Sequence, residues 1–205
     1  MANILKQGQK ENLTKLNLEY DGKKDGEDQV KNYLNIVNDK IGFVPNVLAA
    51  FAKFPKQFEG FTKLYNSLML GESGLTKLER EMIAVTVSSE NHCFYCLVAH
   101  GSAVRELSND PQLGERIAAN FRSAELPKKQ LELLNFTKKL TRDPSEISES
   151  DRAKLRAVGY TDRDIWDISA IIGLFNMTNR LASATEMEPN DNYHNIAREI
   201  LCTLT

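Results

Sequence analysis

An all-α fold follows from three features of the sequence. Apolar residues recur at intervals of three and four along most of the chain, which puts them on one face of a helix. Helix-start signals recur as well. The clearest is Thr76-Lys-Leu-Glu79, where a hydroxyl and a carboxylate can each satisfy a backbone N–H left free at a helix start. Nowhere do two alternating apolar segments face each other across a tight turn, as a β-hairpin requires. With 205 residues, 41% apolar and 26% charged, the chain is long enough for one well-cored domain.

Residues 1–28 are polar and carry the run Asp21-Gly-Lys-Lys-Asp-Gly-Glu-Asp, which predicts a mobile arm or extended lead-in ahead of a single domain over 29–205. Val30, Tyr33, Leu34 and Val37 set a helix over 29–40. It ends at Gly42-Phe-Val-Pro-Asn, whose Asn46 is a candidate cap for the next one. From 47 to 70 the aromatics Phe51, Phe54, Phe58, Phe61 and Tyr65 form a core-facing stripe, with a break at Pro55. After the Thr76 box, Leu78, Met82, Ile83 and Val85 turn one side of a helix to the core. Ser88-Ser-Glu-Asn91 predicts a junction, with a new helix from about Asn91. Residues 112–121 and 128–140 read as amphipathic helices, Pro127 opening the second. Further starts lie at Ser148-Glu-Ser-Asp151 and Thr161-Asp-Arg-Asp164, separated by a turn at Ala157-Val-Gly-Tyr. The last long helix, 162–184, carries Ile165, Trp166, Ile168, Ile172, Leu174 and Phe175 and is expected to be buried.

A net charge of −2 gives no electrostatic footprint for nucleic acid. The first residues lack the apolar core of a secretory signal, and no stretch approaches membrane-spanning length, so a cytoplasmic protein without a membrane partner is expected. In a reducing cytosol a close cysteine pair reads as catalytic, redox-active or metal-binding rather than as a permanent staple. Cys202, far from the others, reads as an idle thiol.

The close pair lies in "SSENHCFYCLVAHG", residues 88–101, in a chain with three cysteines and three histidines. On a helix advancing about 100° per residue, Cys93, Cys96 and His100 project within roughly 60° of one another. Cys93 then falls in the first turn, where free N–H groups favour a thiolate, and Cys96 stands one turn before an imidazole able to take its proton. A Cys-x-x-Cys pair can also close a disulfide with little chain movement. Zinc is the lesser chemical rival, since two thiolates and an imidazole can bind it with Glu81 as a possible fourth ligand, but no second cysteine pair is present to complete a structural site. His92 and His194 read as solvated loop or tail residues. Asn176, Asn179 and Arg180 share one side of the last helix, where a pocket wall, a buried hydrogen-bond network and a subunit contact all remain open.

Glu81 followed by Cys93-Phe-Tyr-Cys96 and His100 resembles the Glu…Cys-x-x-Cys-x-x-x-His signature of the alkyl hydroperoxidase D-like proteins, within the carboxymuconolactone decarboxylase superfamily. "LTKLEREMIAVTVSSENHCFYCLVAHG" is similar to that family's core helical hairpin. "GFVPNVLAAF" and "GYTDRDIWDISAIIGLFNMTNRLA" resemble its peroxidase-related branch, so the likeness spans about residues 40–185. The resemblance implies an all-α fold, homo-oligomers and thiol-dependent reduction of small hydroperoxides, with a thiol or protein reductant and no bound cofactor beyond a redox-active Cys93–Cys96 disulfide. It further implies Cys96 as attacking thiolate, Cys93 as proton donor and resolving thiol, His100 as the base beside Cys96, and Glu81 as the residue that orients or recharges the imidazole. Tyr95 stands where the best-known members carry a histidine. The same pair would also serve a thiol–disulfide carrier acting on a protein, or a redox sensor. Decarboxylase chemistry is disfavoured, because branches with that chemistry do not depend on the cysteines.

Overall fold

The computed structural model describes residues 13–19 and 26–198. Among these there are ten α-helices and no strand. They are α1 (Glu27–Ile41), α2 (Asn46–Phe51), α3 (Pro55–Tyr65), α4 (Lys77–Glu90), α5 (Phe94–Ser108), α6 (Leu113–Asn120), α7 (Lys128–Arg142), α8 (Glu149–Ala157), α9 (Asp162–Ala184) and α10 (Asn192–Asn195). No helix among the described residues is long and apolar enough to cross a membrane.

The organising element is α4, which packs against α5, α6, α7 and α9. It is buried on every side: Met82, Ile83, Ala84, Val85, Thr86, Val87 and Ser88 are all inaccessible, as expected of a helix at the centre of a bundle. The Thr76 capping box is formed in both directions, the Glu79 N–H donating to Thr76 Oγ1 at 3.1 Å and the Thr76 N–H to Glu79 Oε2 at 2.8 Å. The other Glu79 oxygen accepts from Tyr160 Oη at 2.7 Å, so one carboxylate starts α4 and ties it to the turn before α9. The boxes at Ser148 and Thr161 form as well. Pro55 occupies the first position of α3, where its missing N–H costs nothing.

Several sequence expectations need correction. Ser88 and Ser89 do not break the helix. The Ser88 hydroxyl bonds back to the Ala84 carbonyl at 2.7 Å, and α4 runs on to Glu90. Asn91 therefore closes α4 rather than opening α5, which begins at Phe94 after a left-handed His92 (φ 52°). Asn46 does not cap α2, whose N-cap is Pro45; its amide side chain donates to the Glu188 carbonyl, and its backbone N–H donates to Asn190 Oδ1. Trp166 is 72% exposed. Its neighbour Ile165, about 100° around the helix, is buried with Ile168, Ile171 and Ile172, so Trp166 falls outside the core-facing stripe. Arg80, next to Glu81 on α4, is buried and donates to the carbonyls of Leu75 and Leu68.

The lead-in segment also packs. Residues 13–18 lie along the chain after α9: the Lys15 N–H donates to the Thr185 carbonyl at 2.9 Å and the Glu188 N–H to the Leu13 carbonyl at 3.3 Å. Where α5 and α6 meet, Gly114 sits over Gly101, and a Cβ there would come within 2.8 Å of the Gly101 carbonyl. Cys202 lies outside the described residues.

Candidate functional site

The turn between α4 and α5 brings Cys93 and Cys96 together, both unbridged and buried. Cys93 is the N-cap of α5; Cys96 is that helix's third residue and His100 its seventh. Glu81 lies on α4, facing His100 across the hairpin. The His100 Nδ1 to Glu81 Oε2 distance is 2.6 Å, with both side chains about seven-eighths buried (14% and 13% exposed). With Glu81 ionised, Nδ1–H donates to the carboxylate and Nε2 keeps its lone pair. Phe175 of α9 packs its ring against the imidazole edge to face, centroids 4.6 Å apart. The imidazole is thus fixed from two sides, and all four sequence-predicted site residues share one region of the fold.

The two sulfurs differ in surroundings. The Cys93 thiol is pulled down from its ordinary 9.0 to about 6, chiefly because the Cys96 side chain hydrogen-bonds it. The backbone N–H of Cys96, the Ser183 hydroxyl and the charge of a protonated His100 act in the same direction, against the effect of burial. Cys96 is pushed far up, first because it is the proton donor to Cys93 and then by burial and the Cys93 charge; Asn179 and Ser88 oppose this only in part. Their surroundings thus favour the charged form of Cys93 and the neutral form of Cys96. Placing Cys93 at the cap rather than inside the first turn puts its sulfur against the free N–H groups of the helix start.

Sequence reasoning left the polar side of α9 open, and the structure resolves it into a buried network. Asn91 Nδ2 donates to Asn176 Oδ1 at 3.1 Å and to Asn179 Oδ1 at 3.0 Å, and Asn179 Nδ2 donates to Ser88 Oγ at 3.1 Å. Asn179 and Ser88 thereby tie α9 to the end of α4 while both act on Cys96 in favour of its charged form. Arg180 is exposed and bonds Asn176 within its own helix. Ser183 and Tyr193 also border the cysteines, and no local sequence signal marks them, because both reach the site by long-range packing.

Tyr95, in the position between the cysteines, is buried and serves the scaffold. Its hydroxyl accepts the Val47 N–H at 3.0 Å, satisfying a free donor in the first turn of α2, and donates to Tyr193. His92 is exposed in the turn, and His194 is exposed on α10. Among the described residues no three His, Cys, Asp or Glu side chains converge to hold a metal. A wide open groove of ≈ 460 Å³ between α7 and α8 lies elsewhere; Lys139 in its wall is ion-paired with Asp151.

Residues 55–127 match the model of the carboxymuconolactone decarboxylase family. A peroxidase-related protein from Silicibacter sp. TM1040, solved as a crystal structure, is 53% identical, with 94% of this chain and 100% of that one covered at a TM-score of 0.87. A second, described as an alkylhydroperoxidase AhpD core and peroxidase-related protein from Ralstonia eutropha JMP134, is 37% identical, covering 93% and 99% at a TM-score of 0.86. The debrominase Bmp8 in complex with 2,3,4-tribromopyrrole shares the fold at a TM-score of 0.71 with 16% identity over 95% and 100% of the chains. No curated protein matches the sequence.

Proposed function

Because the chain belongs to the carboxymuconolactone decarboxylase family, in its alkyl hydroperoxidase D-like, peroxidase-related branch, we propose that it is an antioxidant oxidoreductase that reduces small hydroperoxides with the Cys93–Cys96 pair. The observation that carries this reading is a buried, unbridged dithiol in the hairpin that also holds the Glu81–His100 pair.

The Cys93 thiolate attacks the terminal oxygen of the peroxide, the O–O bond breaks, and Cys93 becomes a sulfenic acid. The departing alkoxide takes the Cys96 proton, relayed through the lone pair of His100, and leaves as the alcohol. The Cys96 thiolate so formed displaces the sulfenic hydroxyl and closes the disulfide, and the released hydroxide takes up from solvent the proton that Cys93 gave up on ionising, leaving as water. Two thiols and one hydroperoxide thus yield one disulfide, one alcohol and one water. An external thiol, small or on a protein, restores the dithiol. This order of attack is the reverse of the one the resemblance implies, and the opposite directions in which the two thiols are shifted support it. At pH 7 a thiol at about 6 is mostly ionised, whereas an unperturbed cysteine is only a few per cent thiolate.

Peroxide consumption with dithiothreitol as donor tests the activity. Either Cys→Ser change should abolish turnover, and mass mapping after mild oxidation should show Cys93 linked to Cys96 with Cys202 free. Undiminished turnover in both variants would sink the reading. Sulfenic acid trapping separates the roles. In Cys96→Ser the new hydroxyl still donates to Cys93, so the adduct should form on Cys93; a fast adduct on Cys96 in Cys93→Ser restores the order the resemblance implies. A cytoplasmic homo-oligomer completes the proposal, and sedimentation at micromolar concentration is its check.

A further inference from the structure

The side of α9 that turns away from the core is apolar. At about 100° per residue, Trp166, Ala170, Gly173, Met177 and Ala184 project within roughly 60° of one another, and Leu181 adjoins them. Trp166 is 72% exposed, Met177 48% and Leu181 38%; Gly173 and Ala184 are exposed as well. Single exposed apolar side chains are ordinary, but a continuous row along a helix about 34 Å long marks an interaction surface. The row runs on past Leu181, which lines a half-open apolar groove of ≈ 90 Å³ with Leu16 and Leu18 of the lead-in segment. The charged residues of its first turn are matched within the chain, Arg163 with Asp167 and Asp162 with Arg156.

Gly173 lies in the middle of this row. Glycine is the poorest helix former after proline, yet here φ is not positive and a Cβ would meet no described atom of the chain within 4 Å. Nothing inside this chain calls for a glycine at that position. A second helix crossing there does, because a missing side chain lets two backbones approach closely. We propose that α9 is the contact face between two copies of this chain, packed antiparallel about a two-fold axis at Gly173. The inference gives the homo-oligomer proposed above a defined interface. Such a contact is self-complementary: Trp166 and Arg180 both stand seven residues from Gly173, so each copy's indole faces the other's guanidinium, a cation–π pair formed twice. Arg180 is held in place for this, since its Nη1 donates to the Asn176 carbonyl and to Asn176 Oδ1 at 2.8 Å each. A parallel pair would set Arg180 against Arg180. An unrelated partner would have to bring a cation to Trp166 and a ring to Arg180 at the same spacing, whereas a second copy brings both. The opposite side of α9 carries Phe175 and Asn179, so the contact backs the wall of the candidate site.

Trp166 is the only tryptophan of the chain, so its emission reports on this face alone. The test compares sedimentation and tryptophan emission of wild type, Met177→Glu and Gly173→Leu, both changes falling at exposed positions. Wild type should sediment as a dimer at micromolar concentration, and its emission should move to the red on dilution as the indole meets water. Met177→Glu puts a charge without a partner into the contact, and Gly173→Leu puts a branched side chain at the crossing. Each should weaken dimerisation at least about tenfold, the scale of loss at the centre of an interface, with red-shifted emission at every concentration and an unchanged circular dichroism spectrum. Gly173→Leu should at the same time make the monomer more resistant to urea, since leucine is the better helix former; a glycine needed by its own chain would give the opposite sign. A wild-type monomer at these concentrations overturns the contact, and so does an assembly that survives both changes. In the latter case the homo-oligomer stands on another face, and peroxide turnover by the cysteine pair is judged separately from either result.

Discussion

Cys93 and Cys96 are chemically identical residues three apart, and what separates them is the partner each side chain meets. Cys93 sits at a helix cap and accepts; Cys96, equally buried within the first turn, donates. A pH dependence with a definite sign follows. The Cys93 pKa is lower in the folded protein than its ordinary 9.0, at about 6, so folding favours the thiolate. That stabilisation is complete above the unfolded value, shrinks as the pH falls through the interval, and is lost below the folded value. Iodoacetamide alkylation of the native protein should accordingly rise with a midpoint near 6, and Cys96→Ala should move the midpoint upward because the S–H donor is gone. A wild-type midpoint at the ordinary cysteine value would refute the lowering of the Cys93 thiol. The motif itself was legible in the sequence, since spacing and residue type sufficed to select Cys93, Cys96 and His100, while Glu81 was selected only through the family resemblance. The charge distribution was not, because it depends on Ser88, Asn179 and Ser183, whose reach to the sulfurs is set by the packing of α9 against α4 and α5.

Helix boundaries show the same division. The start of α4 was readable because a capping box is a local device: Thr76 and Glu79 meet three residues apart whatever else the chain does. Its end was misread because Ser88 and Ser89 carry cap-forming side chains, and only burial decides whether such a hydroxyl opens a new helix or bonds back one turn. The α4 start has a mechanical consequence for the site, because Glu79 joins the cap to Tyr160 two residues before Glu81. Thr76→Ala should cost about 1 kcal/mol of stability, the usual loss for an N-cap. Glu79→Gln should cost more, since it weakens the cap and the buried Tyr160 contact together. Chemical denaturation of the two variants checks the order; a larger loss for Thr76→Ala would mean that the Tyr160 link contributes little.

At the scale of the whole molecule, segments near both ends of the described chain converge on the hairpin that carries the cysteines, an arrangement without any sequence signature. Residues 13–18 wall the apolar groove, while residues 190–196 insert Tyr193 beside Tyr95 and the sulfur pair. The second segment is fastened at two points. Asn190 accepts from the Asn46 N–H and donates to the Val44 carbonyl. Arg105, buried on α5, donates to the carbonyls of Tyr193 and Ile196 at 2.9 and 3.0 Å. A buried guanidinium spent on two backbone carbonyls is a strong tether, since hydrogen bonds to charged groups contribute about 1.5–3 kcal/mol each. Arg105→Met keeps most of the stem volume and removes both bonds. The expected outcome is chymotryptic cleavage after Tyr193 at least about tenfold faster than in wild type, the scale on which a loss of 1.4 kcal/mol opens a local equilibrium, with helix content by circular dichroism unchanged. The Glu81–His100 pair, on α4 and α5 themselves, should be untouched, so the midpoint of Cys93 alkylation should hold even as the segment is released. Equal cleavage rates in variant and wild type would show that Asn190 alone carries the tether, and a shifted alkylation midpoint would show that Tyr193 takes part in setting the charge on the sulfur pair.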